Sequence, residues 1–172
     1  MTKSNRLTIT MSTITLLVLM TLGSLAHGND RGDVKATIGG AHVSVDYGRP
    51  SLKGRDPLKM IQPGKVWRLG SDAPTTLESD RDLNFGGTVV PKGKHILLAR
   101  YVESGKWELV FSSKPAMQFE PGVQIAEVPL KFEESSDSIE IVTIRISVKG
   151  ETGSIEIAWG KMRLSASFTA TR

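Results

Sequence analysis

The sequence predicts an all-β fold: an antiparallel β-sandwich or jelly-roll-like domain of eight to ten strands with one short helical turn. Three observations carry this. Apolar residues recur at a period of two along most of the chain, as they do in strands with one buried face. Turn clusters rich in glycine separate these runs at intervals of about ten residues, the spacing of sandwiches and barrels. No long segment carries the 3.6-residue period of an amphipathic helix.

The elements follow in order. In "AHVSVDYG", Val43, Val45 and Tyr47 alternate with His42, Ser44 and Asp46. "DPLKMI" holds the helical signal. Asp56 can cap, Pro57 suits the first helical position, and Pro63-Gly64 ends the turn. "NFGGT" and "PKGK" are turns, and so are "ESGK" before Trp107 and "KGETGS" at Lys149–Ser154. Trp107, Leu109 and Phe111 share one face of the next run. "FEESSD" at Phe132–Asp137 reads as a solvated turn before a strong strand over Ile139–Val148. In that strand Ile139 and Ile141 fall on the opposite face to Val142, Ile144, Ile146 and Val148, which predicts a bulge or a start buried on both faces. Two further strands are expected, one with Ile155, Ile157 and Trp159 and one with Met162, Leu164, Ala166 and Phe168. The last runs almost to Arg172.

The N-terminus is read separately. Lys3 and Arg6 precede a mostly apolar stretch, Leu7 to Leu22, and Ser24-Leu25-Ala26 offers small residues for cleavage. This is the layout of a secretory signal peptide, residues 1–26, with cleavage after 26 or 28. Its longest apolar run is far short of the roughly 20 residues that a membrane span needs. One β domain over residues 29–172 is expected, exported to the periplasm or beyond. The sequence has no cysteine, so this domain must be held by its core without disulfides. The formal charge of +4 includes Lys3 and Arg6. A nearly neutral mature domain gives no case for nucleic acid, which needs a basic face with stacking or base-reading groups.

Charge is concentrated in one place. Between Tyr47 and Gly70 stand Arg49, Lys53, Arg55, Lys59, Lys65 and Arg68, opposed only by Asp56. Arginine presents a planar fork that matches carboxylates, phosphates and sulfates. Two readings stand. Arg49, Lys53, Arg55 and Arg68 form a pocket for an acidic small molecule, a glycan or a peptide terminus. Alternatively, they pair with Asp46, Asp72 or Glu78 and pin a long loop. Lys59 and Lys65 read as solvated charges. Trp67 reads as core, with Arg68 on the opposite face. The "SDAPTT" run adds Asp72 and Thr75, which either orient a ligand or satisfy turn backbone.

The segment from Val43 to about Ser113 resembles a bacterial family known as domain of unknown function 2911. The residues that carry the resemblance are "YGRPSLKGR" at Tyr47–Arg55, "GKVWRLGSDAPTT" at Gly64–Thr76 and the region from Gly86 to His95. The family pattern reads Y-S-R-P-S-x-K-G-R, then G-x-x-W-R-x-G-A-N-x-x-T, then a strand with P-x-G-x-Y. The chain has Gly48 where the family has serine, Ser71-Asp72 for Ala-Asn, and His95 where tyrosine is frequent. From Ala126 onward the resemblance is weak. It implies an exported, mostly β domain and no particular reaction.

Catalytic signatures are sparse. There is no G-x-S-x-G and no cysteine nucleophile. There is no H-E-x-x-H or cysteine pair for a metal, although His42, His95 and Asp46 could converge in space. No metal or cofactor is expected. The candidate site is therefore Arg49, Lys53, Arg55, Arg68, Asp72, Thr75 and His95, in a non-catalytic envelope binding or structural module. The alternative is a hydrolase or isomerase using His95 or Asp72 beside the arginines, which requires an acid–base pair within hydrogen-bond reach.

Overall fold

The computed structural model describes residues 30–103 and 105–171; the expected signal peptide lies outside them. The strands are β1 (Arg31–Ile38), β2 (Ala41–Gly48), β3 (Val66–Trp67), β4 (Thr76–Ser79), β5 (Leu83–Phe85), β6 (Thr88–Val90), β7 (Gly93–Glu103), β8 (Lys106–Ser112), β9 (Gln124–Lys149) and β10 (Thr152–Ala170). One short helix, α1 (Pro57–Met60), interrupts them, and a 3-10 turn covers Ala116–Gln118. The all-β expectation holds.

All ten strands belong to one sheet in the order β1-β2-β4-β7-β8-β9-β10-β5-β6, with β3 beside β4 on the same edge of β7. Every pairing between strands is antiparallel. The two layers expected of a sandwich are therefore two halves of a continuous sheet. β9 joins them. Its first residues pair with β8 (Val128 opposite Leu109, Leu130 opposite Trp107). From Lys131 on it pairs with β10 (Phe132 opposite Leu164, Ile144 opposite Ile157).

The sheet turns on itself because both halves carry an apolar face that must leave water. Val43, Val45, Leu77, Leu97, Leu109 and Phe111 from one half share a single buried cluster with Val142, Ile144, Ile155, Ile157, Leu164 and Phe168 from the other. Phe85 bridges the layers, with ring centroids 5.3 Å from Phe111 and 4.9 Å from Phe168. The period-two pattern correctly predicts this face in β2, β8 and β10.

Two expectations are corrected. "FEESSD" is not a turn: it lies within β9. Residues 135–138 form an outsized bulge between the pairs Glu134–Met162 and Ile139–Gly160, where β10 supplies only Lys161. Ser135 Oγ accepts the Asp137 N–H at 3.1 Å, and an Arg163 guanidinium N–H donates to the Asp137 carbonyl at 2.8 Å. The local turn chemistry is real, but the ladder resumes on both sides of it. The bulge expected between Ile141 and Val142 is a second one: residues 140–142 lie between the pairs Ile139–Gly160 and Thr143–Ala158, where β10 supplies only Trp159. Likewise the two runs ending in Trp159 and Phe168 are one strand, β10. Gly160, at φ +58°, bends it, and the register shifts on both sides. A glycine in the left-handed region kinks a strand without ending it when cross-strand pairing continues.

The helical turn forms as read. Asp56 Oδ1 accepts the Leu58 N–H at 3.0 Å and Pro57 occupies the first position. Pro57 is buried against Gly160, where a Cβ would lie 3.0 Å from the proline ring. The loop before α1 is pinned to β9 by Leu52 N–H to Glu140 O (2.8 Å) and Val142 N–H to Pro50 O (3.0 Å). The 48–70 loop is thus laid across the second half of the sheet.

Charged groups line the outer face. Arg100 on β7 bridges Glu108 of β8 (2.6 Å) and Glu127 of β9 (2.7 Å). On β2, the His42 ring donates from Nδ1 to Asp80 at 2.7 Å and its backbone N–H donates to the same carboxylate at 2.8 Å. These contacts, the ring bond first, hold the Asp80 carboxyl below its ordinary value of 3.8. A carboxyl depressed on folding adds stability that is present above its unfolded pKa and is lost as pH falls through the folded value. His42→Ala should therefore lower the melting temperature above the carboxylate range and leave it near that of the wild type at the acid end, so that the two profiles converge as pH falls through that range. Profiles that do not converge would refute the linkage.

Candidate functional site

The segment after β2 builds a cleft of about 520 Å³. Arg55 enters from the turn before α1, and Lys65, Trp67 and Arg68 from the segment around β3. Ser71 lies on the loop that follows, and Trp159 comes from β10. Trp67 stacks on Trp159, with centroids 5.4 Å apart and planes 12° from parallel. Trp67 is thus half-buried against the core and also forms a wall of the cleft.

Electrostatically the cleft is one-sided. Its lining contains Arg55, Lys65 and Arg68 and no carboxylate. The polar contacts of the two arginines go to backbone carbonyls. Arg55 donates from Nε to Leu52 O at 2.9 Å and from Nη2 to Ser51 O at 3.1 Å, and Arg68 donates from Nε to Gly70 O at 3.1 Å. Carbonyl contacts fix the direction of a guanidinium without neutralising its charge. Two lining residues, Ser71 and Trp159, also hold a buried polar atom without a partner, Oγ and Nε1. The uncompensated cations make the cleft suited to an oxygen-rich, negatively charged group.

Arg68 also borders an adjoining groove of about 430 Å³ with Asp72, Thr75, Ile96, Leu98 and Met117. Thr75 is fully buried and donates its hydroxyl to Leu69 O at 3.2 Å. Asp72 holds a positive φ of 58° at the loop tip.

The remaining sequence candidates lie elsewhere. Arg49 lines neither concavity; its backbone N–H is bound to Asp30 O at 2.8 Å and its Nε is buried without a partner. Lys53 is exposed, and its backbone N–H is held by Glu140 at 3.0 Å. His95 lies on the core side of β7, its Nε2 donating to Pro91 O at 2.6 Å and its ring edge-on to Phe111. It does not line the cleft. Asp46 is engaged by Arg31, the guanidinium Nε lying 3.0 Å from the carboxylate. His42 turns to Asp80, so His42, His95 and Asp46 do not converge. Among the described residues no group of three His, Asp or Glu side chains is arranged to hold a metal ion.

The family model described as protein of unknown function (DUF2911) matches residues 30–168. The chain belongs to the DUF2911 family. The match extends well beyond Ser113 and takes in β9 and nearly all of β10, so Trp159 falls within it along with the Tyr47–Arg55 and Gly64–Thr76 motifs. Within the DUF2911 match, these two segments supply most of the cleft lining. No curated protein and no solved structure matches the chain.

Sequence reasoning missed Trp159, Ser71 and Lys65 as site residues. Trp159 sits in an alternating strand, where an aromatic reads as core, and nothing local shows that β10 passes under the basic loop. Lys65 lacked any mark distinguishing it from a solvated lysine. A further concavity of about 550 Å³ lies over β1, β2 and β4, but its lining mixes Lys35 with Glu78 and Asp80, so its field is not of one sign.

Proposed function

We propose that this protein is an exported, non-catalytic module of the bacterial envelope that holds a small molecule by an acidic group in the Arg55–Lys65–Arg68 cleft. The observation that carries the reading is the donor set. Three cations line one concavity without a carboxylate among them, beside Ser71 and Trp159, whose buried Oγ and Nε1 have no partner. Export is supported by the charged and apolar pattern of residues 1–26. N-terminal sequencing of the protein recovered from the periplasm should begin near Asn29; an intact Met1 would refute cleavage.

The binding reading is tested by titrating the purified protein with glucuronate, sulfate and inorganic phosphate, following melting temperature and heat. A ligand that binds only the folded state raises the melting temperature by mass action. Arg68→Ala should weaken the best anion by about tenfold or more, since a hydrogen bond to a charged group contributes about 1.5–3 kcal/mol. Lys65→Glu, an exposed charge reversal, should abolish binding with little change in the unliganded melt. If none of these anions shifts the wild-type melt or releases heat, the cleft is a staple for its loop and the reading fails. Turnover of an ester or sugar acid dependent on Asp72 or His95 would favour the hydrolase or isomerase reading instead.

A further inference from the structure

We infer that the ligand is amphipathic: a single-chain alkyl carboxylate whose head meets Arg68 and whose tail lies in the adjoining groove. This rests on the anion reading of the cleft and names its ligand class. Arg68 is the only residue that lines both concavities, so a molecule held at its guanidinium has a polar site on one side and an apolar one on the other.

The groove is built for an alkyl chain. Ile96 and Leu98 project from the face of β7 opposite to Leu97 and Ala99, which belong to the core. Leu98 is almost wholly buried on that outer face and Ile96 half-buried, and together they form the apolar floor. Pro115, Ala116 and Met117 form the far wall. Met117 is 95% exposed, a flexible thioether standing in water beside an apolar channel and able to fold over a chain. Among the described residues, Arg68 is the one cation that lines the groove. The volume suits one chain of a drug-sized ligand, not a two-chain lipid.

The test is a calorimetric series on the whole protein below micelle concentrations: acetate, hexanoate, octanoate and decanoate, with decanol and glucuronate alongside. Affinity should rise about two- to fourfold for each added methylene until the groove is filled. Decanol should bind at least tenfold more weakly than decanoate. Met117→Asp, at a side chain that supports no packing, and Ala116→Trp, which fills the groove, should flatten the chain-length series. Both should leave glucuronate binding intact, and that retained binding also reports a folded variant. Equal affinity for acetate and decanoate, or a chain-length slope that survives both variants, overturns the inference while leaving the cleft as an anion site. Equal binding of decanol and decanoate removes the head-group contact and overturns it too. If neither glucuronate nor any carboxylate binds, the cleft reading fails with it.

Discussion

Phe111→Ala should destabilise the protein by about 3–5 kcal/mol. Phe111 is fully buried and makes a contact between the two layers: its ring meets Phe85 from the far half at 5.3 Å, and it also packs on His95 of its own half at 6.3 Å. Truncation removes both ring contacts and leaves a void whose walls are strands held by ladders on either side, so the site cannot collapse to fill it. Domains of this size have only about 5–15 kcal/mol in total. Urea unfolding should show the midpoint falling steeply with little change in slope. A loss below about 1 kcal/mol would mean that the layers are held apart from this contact.

Gly48→Ala should cost about 3 kcal/mol and impair anion binding together. A Cβ at Gly48 would lie 2.2 Å from the Ser71 carbonyl oxygen and 2.7 Å from its nitrogen. Both obstacles are backbone, so no side chain can swing away. Overpacking costs about 1–3 kcal/mol, and a fixed main chain puts this case at the upper end. The backbone that must yield carries Ser71, which lines the cleft. Gly64→Ala is the control. It has no neighbour within 4 Å but sits at φ +76°, and should cost only about 1 kcal/mol, with binding unchanged. Equal losses for the two substitutions would show that conformational strain, not the close approach to Ser71, governs Gly48.

The same residue marks how far sequence reading reaches. That a glycine stands at position 48, directly before the basic loop, is legible in the chain. The reason is not, because it lies in a contact with Ser71, twenty-three positions away, that no local pattern encodes. Strands were readable where one face is apolar and the other polar, as in Val43–Tyr47 or Trp107–Phe111. They were misread where a strand carries polar residues on both faces over a bulge, as at Ser135–Ser138. β1 was not picked out, since its apolar residues Val34, Ala36 and Ile38 begin beside the expected cleavage region. The basic loop was recognisable as unusual from charge alone. Which of its cations share a cavity depends on how it drapes over β10, and that placement brings Arg55 and Arg68 together while sending Arg49 and Lys53 elsewhere.

The path of β9 and β10 also sets the order in which the fold can be completed. The short β5–β6 hairpin ends at Val90, yet its ladder partner is the far end of β10: Asn84 pairs with Thr169 and Leu83 with Ala170. Contacts closed over such separations are slow to form, because loop entropy is lost before they are gained. During synthesis, then, the hairpin waits with one edge bare until the end of β10 has emerged. The sheet closes only once β10 is complete, and replacing Thr169–Ala170 by proline would remove the pairing that seals β5 into it.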